Sequence, residues 1–562
     1  MDPTTLVLGP NTWIDRGEML RVASGARRIH IASPPESAEI LDTAIARGST
    51  VYGHSTGYGA LASFSADTPS AVHQAQLIAH LATGTGPPFD ARVARALVFD
   101  RLVTLSKGHS AAGNEMLEYL SRMLATDAAP HIPRYGSVGA SGDLTPLAHL
   151  ATVMMGEGAY LSGHNPNFAP FRFSRRDALA LVNGTSASSA LAMLSWWDLA
   201  ALLPVVLRSM AFMVRAQRLA EQAYTDELHR YRGQPGQTAV AGALRQALHD
   251  APHAAARAST HDRRDTSQNQ LLSHEETLQA AYSFRCIPQI LGPTLEMLWH
   301  TGTTLEREIN AVTDNPVFGE PDQVFHGGNF HGQIVAQACD SLSLGMANLA
   351  ILLDRQIARV TDPLLNHGLP PFLTGASVGA HSGFMGAQVS ATALTAELSA
   401  SAQRRYLLQS RSTNGANQDV VSMSTLAGVA LYESLPRLRE LVAIHLMTGV
   451  QALDVAQTAG AHRPPEGEAL REWVRERSPY LVDDRPLSGD IERIAADLAV
   501  ITQPEARAPD RNSATPDQHA LAPGRDTPAA GQDEQRQKPP PLTAALWSAL
   551  FPDVPEPQHT RQ

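Results

Sequence analysis

The stretch "GSVGASGDLTPLAHL", residues 136–150, sets three glycines around the triplet Ala140-Ser141-Gly142 and then runs into a helix-like pattern. Glycine belongs where the backbone must bend sharply or approach another group closely. A phosphate-binding loop needs a lysine after its last glycine, and here Asp143 follows Gly142. A dinucleotide fingerprint needs the spacing G-x-G-x-x-G, whereas the glycines stand at 136, 139 and 142. A hydrolase elbow reads G-x-S-x-G, and Ser141 is bracketed as Gly-Ala-Ser-Gly-Asp instead. Reaction of the backbone with itself fits better. If the Gly142 nitrogen attacks the Ala140 carbonyl and water leaves, a five-membered imidazolone closes. Loss of a second water from Ser141 turns its side chain into an exocyclic methylene. The triplet supplies the small residues that such a closure demands.

The rest of the chain narrows the setting. Its 562 residues with 43% hydrophobic content suffice for a large core, and 18% charged residues suit a big core or wide subunit contacts. The net charge of −11, without a long basic run, argues against nucleic acid. Two cysteines, Cys286 and Cys339, stand outside any CxxC, so neither a disulfide framework nor a zinc cluster is expected. "MDPTTLVLGP" lacks the regions of a signal peptide. The apolar run 191–214 carries Asp198, Pro204 and Arg208, so it reads as a buried bundle helix rather than a membrane span. A cytoplasmic protein with no membrane partner is the expectation.

Helical periodicity dominates. "TPSAVHQAQLIAHLATG" opens with Thr68 as a cap and Pro69 at the first helical position, continues through Val72, Leu77, Ile78 and Leu81, and stops near Gly84. Val335, Ala338, Leu342, Leu349 and Leu352 form one stripe over some thirty residues. Further long helices are expected around 186–222, 383–404 and 416–458. After the triplet, Asp143 or Thr145 is expected to cap a helix with Pro146 at its first position. Composition shifts near residue 503 to Pro, Ala, Asp, Gln and Arg, which predicts a catalytic unit over 1–502 and a disordered tail over 503–562. Inside that tail "PLTAALWSALF" (541–551) sets Leu542, Leu546, Trp547, Leu550 and Phe551 on one face. This short helix either folds back on its own protein or docks in the groove of a protein partner.

The triplet resembles the signature of the aromatic amino acid ammonia-lyase and aminomutase family, whose members carry the methylidene-imidazolone (MIO) prosthetic group. "VYGHSTGYG", "LVNGTS", "AYSFRC", "NAVTDNPVF", "HGGNFHGQ", "GLPPFL", "HSGFMGAQ" and "STNGANQDVVSM" resemble further family blocks, in the family's order, over about residues 50–425. The resemblance implies a mainly α fold: a long-helix bundle of the ammonia-lyase (fumarase/aspartase-like) type, with a smaller mixed N-terminal part carrying the MIO and lid loops. It also implies a homotetramer whose sites combine residues of several subunits, and an MIO made autocatalytically from Ala140-Ser141-Gly142 with no metal.

Site residues follow from the matching positions. Tyr52 corresponds to the catalytic base, carried on a lid with Gly53, Gly57 and Gly59; a phenol needs a lowered pKa for that task. Arg285 matches the residue that grips the substrate carboxylate, with Tyr282 and Gln279 just before it. Asn183 matches the asparagine beside the imidazolone, and Phe330 with Asn329 matches residues shaping its surroundings. The pair His80-Leu81 resembles members that take tyrosine: histidine meets the phenol hydroxyl and leucine packs on the ring. Histidases resemble the chain with glutamate where Gln418 stands, which argues against histidine as substrate; Asn414 and Asn417 complete that wall. The expected substrate is a small aromatic amino acid, L-tyrosine, giving 4-coumarate and ammonia. His331 and His381 are reminiscent of tyrosine 2,3-aminomutases, which leaves β-tyrosine formation open, followed by phenylalanine or histidine elimination. A non-catalytic scaffold is the remaining alternative, opposed by the intact triplet, Tyr52 and Arg285. His54, Ser55, Arg404 and Arg405 depart from the usual family residues.

Overall fold

The apolar run 191–214 lies within one helix, Ser186–Ala216, whose residues are buried except Arg208 and Arg215. A helix that is apolar all round must be wrapped by others. In this computed structural model it packs against Ala91–Ser106, Ile287–Ile309, Gln333–Thr361 and, most extensively, Ser424–Thr458. Asp198, the charge that made a membrane span implausible, is buried against Arg92 at 2.8 Å and Arg439 at 3.3 Å. Ser186–Ala216 and Gln333–Thr361 are both long and apolar enough to cross a membrane by length and composition. The first is wholly enclosed by the bundle. The described residues are 5–32, 37–66, 70–126, 128–161, 166–174, 176–249, 279–319, 323–458, 468–500 and 544–554.

The expected helices form with adjusted ends. The stripe over some thirty residues is Gln333–Thr361, with Val335, Ala338, Leu342, Leu349 and Leu352 buried. Met385–Ala402 packs beside it and against Ser424–Thr458. The helix expected over 416–458 begins at Ser424, because residues 413–423 form a loop that reaches the glycine triplet. In the helix Ser70–Leu81, Leu77 and Ile78 are buried while Val72 is 47% exposed. The proposed cap Thr68 and Pro69 lie outside the described residues.

Among the described residues, strand is confined to three two-stranded pairs. Leu6–Leu8 runs parallel to Ile29–Ile31, with Leu6 opposite Ile29. Thr85–Pro88 runs antiparallel to Pro133–Tyr135, so the chain leaves a strand directly into the glycine loop. Val317–Gly319 pairs with Gln323–Phe325, Phe318 opposite Val324. The glycine loop therefore hangs between a small mixed layer and the helical bundle.

The C-terminal apolar helix, Ala544–Leu550, packs on its own chain. The Trp547 ring stacks on Trp197 at 5.8 Å with planes 4° apart, and Phe551 meets Trp196 edge-on at 6.0 Å. Trp299 Nε1 donates to the Leu550 carbonyl at 2.7 Å, satisfying an end-of-helix acceptor. Leu546, Trp547, Leu550 and Phe551 are fully buried. Of the two readings of this segment, folding back on its own protein is the one observed, with Leu546, Trp547, Leu550 and Phe551 turned into the chain. Leu542 and the predicted disordered stretch that leads to this helix lie outside the described residues.

Candidate active site

The triplet is held by backbone contact that only glycines permit. Ala140 and Gly142 form a bridge with each other, and Gly142 forms a second with Gly184. Gly142 has φ +67°, and a Cβ there would run into the Gly184 carbonyl. Asp143 N–H donates to that same carbonyl at 2.6 Å. Gly139, at φ +64°, leaves room for the Ser422 and Ser424 hydroxyls, and Ser422 Oγ donates to its carbonyl at 2.9 Å.

Asp143 stands at the cap position of the helix Leu144–Met154, but its side chain makes no capping bond. Pro146 is the third helical residue rather than the first. The carboxylate instead turns inward, where it is fully buried. It accepts from Ser188 N–H at 2.8 Å, Ser188 Oγ at 2.9 Å, Ser137 Oγ at 3.3 Å and Thr425 Oγ1. Burial raises its pKa, against the downward pull of these four donors. One carboxylate thus ties the triplet loop to the starts of the two longest helices. Sequence reading missed Ser137, Ser188 and Thr425; the only signal was the hydroxyl-rich wording of "LVNGTSASS" and "VVSMST".

Of the expected residues, Gln418 meets Ser141 directly. Gln418 Nε2 donates to Ser141 Oγ at 2.9 Å, while its Oε1 accepts from Thr413 Oγ1 at 2.6 Å. Asn183, 3% exposed, donates through Nδ2 to the Asn315 carbonyl at 2.8 Å. Its Oδ1 is buried without a hydrogen-bond partner among the described residues. Phe330 is half-buried, two residues before Gly332, which abuts Ser424. Asn329 Nδ2 reaches the Val312 carbonyl at 3.3 Å. Asn414, at φ 52°, lies against Gly59 so closely that a Cβ on Gly59 would strike its amide. Asn417 is exposed and turns back on Asn414 through its own N–H at 3.1 Å.

Tyr52 sits on the loop that touches Asn414. Its Oη accepts Gly59 N–H at 2.8 Å, and Tyr58 lies edge-on at 6.4 Å. Ser55 closes the turn onto Val51 N–H at 3.0 Å. The buried pair Arg176–Asp314, at 3.0 Å, supplies the nearby positive charge. Burial nevertheless pushes the Tyr52 phenol up, and the Gly59 bond and Arg176 offset it only partly. The lowered pKa expected of a base is not what this chain alone provides. His80 is exposed near the end of Ser70–Leu81, its Nδ1 3.2 Å from the Gln76 carbonyl, with Leu81 half-buried beside it. The chain then passes through Gly84, whose N–H donates to His149 in the helix after the triplet.

Gln279, Tyr282 and Arg285 stand apart from this group. Gly332 abuts Ser424 at the triplet end of the helix Gln333–Thr361, while Gln356, near the other end, binds the Ser283 carbonyl at 2.7 Å. Those two positions are roughly 36 Å apart at 1.5 Å per residue. Tyr282 is 68% exposed, and the Arg285 guanidinium lies 4.6 Å over its ring. One chain therefore carries the triplet and the arginine at opposite ends of its bundle. The two histidines reminiscent of aminomutases are locally engaged: His331 Nε2 lies 3.2 Å from the Val420 carbonyl, and His381 lies between Asp483 and Asp484 N–H. Arg405, in left-handed geometry, and the following amides close onto Asp340, inside Gln333–Thr361.

The family model "Aromatic amino acid lyase" matches residues 21–476. The chain belongs to the aromatic amino acid lyase family. It is 38% identical to the tyrosine ammonia-lyase of Cereibacter sphaeroides, over 89% of this chain and 98% of that protein. It is 35% identical to the MIO-dependent tyrosine 2,3-aminomutase of Streptomyces globisporus, over 84% and 89% respectively. The solved phenylalanine aminomutase of Pantoea agglomerans superposes with a TM-score of 0.82 at 29% identity, covering 89% of this chain and 99% of that one. The mainly helical fold expected from the sequence is the fold of these lyases and aminomutases.

The family's prosthetic group suits the residues present. Gly142, left-handed and pressed against Gly184, and the Gln418 amide on Ser141 Oγ keep small, closely approached residues at the three positions that the closure needs. The unpartnered Asn183 Oδ1 offers a polar atom beside them.

The hub at Asp143 can be tested without touching the triplet. Thr425→Val removes one donor and keeps the shape of the side chain. We expect unfolding in urea to show a loss of about 1–3 kcal/mol, the cost of leaving a buried acceptor short of a donor. A change under about 0.5 kcal/mol, the range of an indifferent surface site, would contradict the hub.

Proposed function

We propose that this lyase removes ammonia from L-tyrosine to give 4-coumarate, using an MIO made from its own Ala140, Ser141 and Gly142, in the cytoplasm and without a metal. The observation that carries the reading is the triplet itself, with Gly142 pressed left-handed against Gly184 and Gln418 donating to Ser141 Oγ. When formed, the group supplies an electrophile that activates the substrate amine as a leaving group.

The remaining work falls to the chain's own side chains. Tyr52 Oη takes the β-proton, a weakly acidic one, so the phenol must ionise to act. Burial works against ionisation, and the Gly59 N–H favours it. Activity should therefore climb with pH above neutrality. Arg285 holds the carboxylate through its planar fork. His80 meets the phenol hydroxyl and Leu81 packs on the ring. A site with a dedicated partner for a hydroxyl disfavours the analogue lacking it. Asn183, Phe330, Asn414, Asn417 and Gln418 surround the reacting end, and Gln279 with Tyr282 accompanies Arg285.

The separation of Ser141 from Arg285 in one chain supports a site assembled between copies, within the homotetramer that the family resemblance implies. Ile334, Leu344 and Ile351, each about half exposed, lie along Gln333–Thr361 and offer an apolar face for such contacts. The second reading, β-tyrosine formation, is favoured by the likeness to two aminomutases. The engaged states of His331 and His381 give it no added support.

Two measurements test this. Chromatography after incubation with L-tyrosine should show 4-coumarate and ammonia from the parent protein and neither from Ser141→Ala; accumulating β-tyrosine would favour the second reading, and no product would remove tyrosine as substrate. Co-expression of Ser141→Ala with Arg285→Gln, each inactive alone, should restore a sizeable part of the activity in mixed assemblies. No recovery in assemblies shown to be mixed would contradict a site shared between chains.

A further inference from the structure

We propose that Gln356, His445 and Ser209 form a buried positioning relay that sets the direction of Arg285 from inside the helical bundle. The inference rests on the reading of Arg285 as the carboxylate grip. The relay runs through three of the longest helices. Ser209 Oγ lies 2.7 Å from His445 Nδ1, His445 Nε2 lies 2.9 Å from Gln356 Oε1, and Gln356 Nε2 lies 2.7 Å from the Ser283 carbonyl. Ser209, His445 and Gln356 are each no more than 1% exposed.

The polarity of the chain is determined from its last member. A carbonyl can only accept, so the Gln356 amide must turn its NH₂ toward Ser283 and its oxygen toward His445. His445 must then donate from Nε2 and accept at Nδ1, and the Ser209 hydroxyl donates. A neutral imidazole has one donor and one acceptor, as this arrangement requires. Burial pushes His445 down to about 3, which keeps it neutral.

The recipient is the short helix Tyr282–Arg285. Four residues cannot hold a helical turn by their own hydrogen bonds, so its orientation must be imposed from outside. Gln356 fastens the Ser283 carbonyl. Tyr224 Oη donates to the next carbonyl, Phe284, at 3.1 Å. The ordinary helical donor to that carbonyl would be residue 288, a proline with no N–H. Two successive carbonyls of the helix are thus clamped from the core, and the Arg285 side chain leaves from the same turn. Polar groups buried in the middle of a bundle are costly unless fully paired, and here they are paired all the way to the segment that carries the arginine.

The test separates positioning from plain stability. Gln356→Met keeps the length of the side chain and removes its donor. Two probes share a phenol: 4-coumarate carries a carboxylate and 4-methylphenol does not. In the full-length protein, Gln356→Met should raise the inhibition constant of 4-coumarate and the KM for tyrosine by about tenfold, the scale of a misaligned charge-assisted contact. The inhibition constant of 4-methylphenol should stay unchanged, and kcat should move by less than about threefold. Arg285→Gln, inactive in turnover, is the reference, with the dissociation constants of both probes read by calorimetry in it, in the parent and in Gln356→Met. If it leaves the ratio of the two constants as in the parent, the carboxylate reading of Arg285 is itself wrong. If Arg285→Gln alters the ratio and Gln356→Met does not, or if Gln356→Met weakens both probes alike, the relay is overturned. Should Gln356→Met fail to fold, Ser209→Ala removes only the distal donor and should shift the ratio in the same direction by about twofold to threefold, on the scale of one neutral hydrogen bond loosened at a distance. An unmoved ratio there overturns the relay as well.

Discussion

Everything in the candidate site hangs on the contact between Gly142 and Gly184. Two backbones meet there with no side chain between them, and a Cβ on either glycine would collide: on Gly142 with the Gly184 carbonyl, on Gly184 with Arg101. The contact puts the triplet against the start of the helix Ser186–Ala216, buried but for Arg208 and Arg215. Asp143, the next residue, then reaches Ser188 and Thr425 at the beginnings of the two longest helices. A deeply buried part of the bundle is thereby attached to the least conventional part of the chain.

That attachment has a chemical consequence. A backbone nitrogen attacks a carbonyl two residues away only if the chain is held folded upon itself for long enough. In an unconstrained glycine-rich loop such conformers are rare, because glycine spreads its population over many backbone states. Burying a carboxylate under the loop, at the expense of its own hydration, restricts that freedom. The raised pKa of Asp143 records the expense. Asp100 and Glu308, also buried near this network, are raised by burial in the same way.

The sequence disclosed the local features and left the long-range ones hidden. The triplet, the stripe of Gln333–Thr361 and the apolar run of Ser186–Ala216 are written in consecutive residues, and they can be read there. The cap expected from Asp143 is a local inference that tertiary contacts overrode: two donors from Ser188 and one from Thr425, joined by Ser137 of the same loop, outcompete the helix's own amides. The docked Trp547 shows the same limit, since its partners Trp197 and Trp299 lie hundreds of residues away. The Gln356–His445–Ser209 line has no motif at all. The resemblance implied sites shared between subunits, but the motifs did not say that Ser141 and Arg285 occupy opposite ends of the bundle. Matching blocks of a family name the members of a site without saying which copy of the chain supplies each one.

The central claim is that Ala140, Ser141 and Gly142 react with one another. Intact-mass spectrometry of the purified, unlabelled protein tests it most directly, because the claim fixes the mass independently of any substrate. The account predicts a chain lighter than its encoded sequence by two waters, and a Ser141→Ala chain without that deficit. A parent chain at its full encoded mass would contradict it.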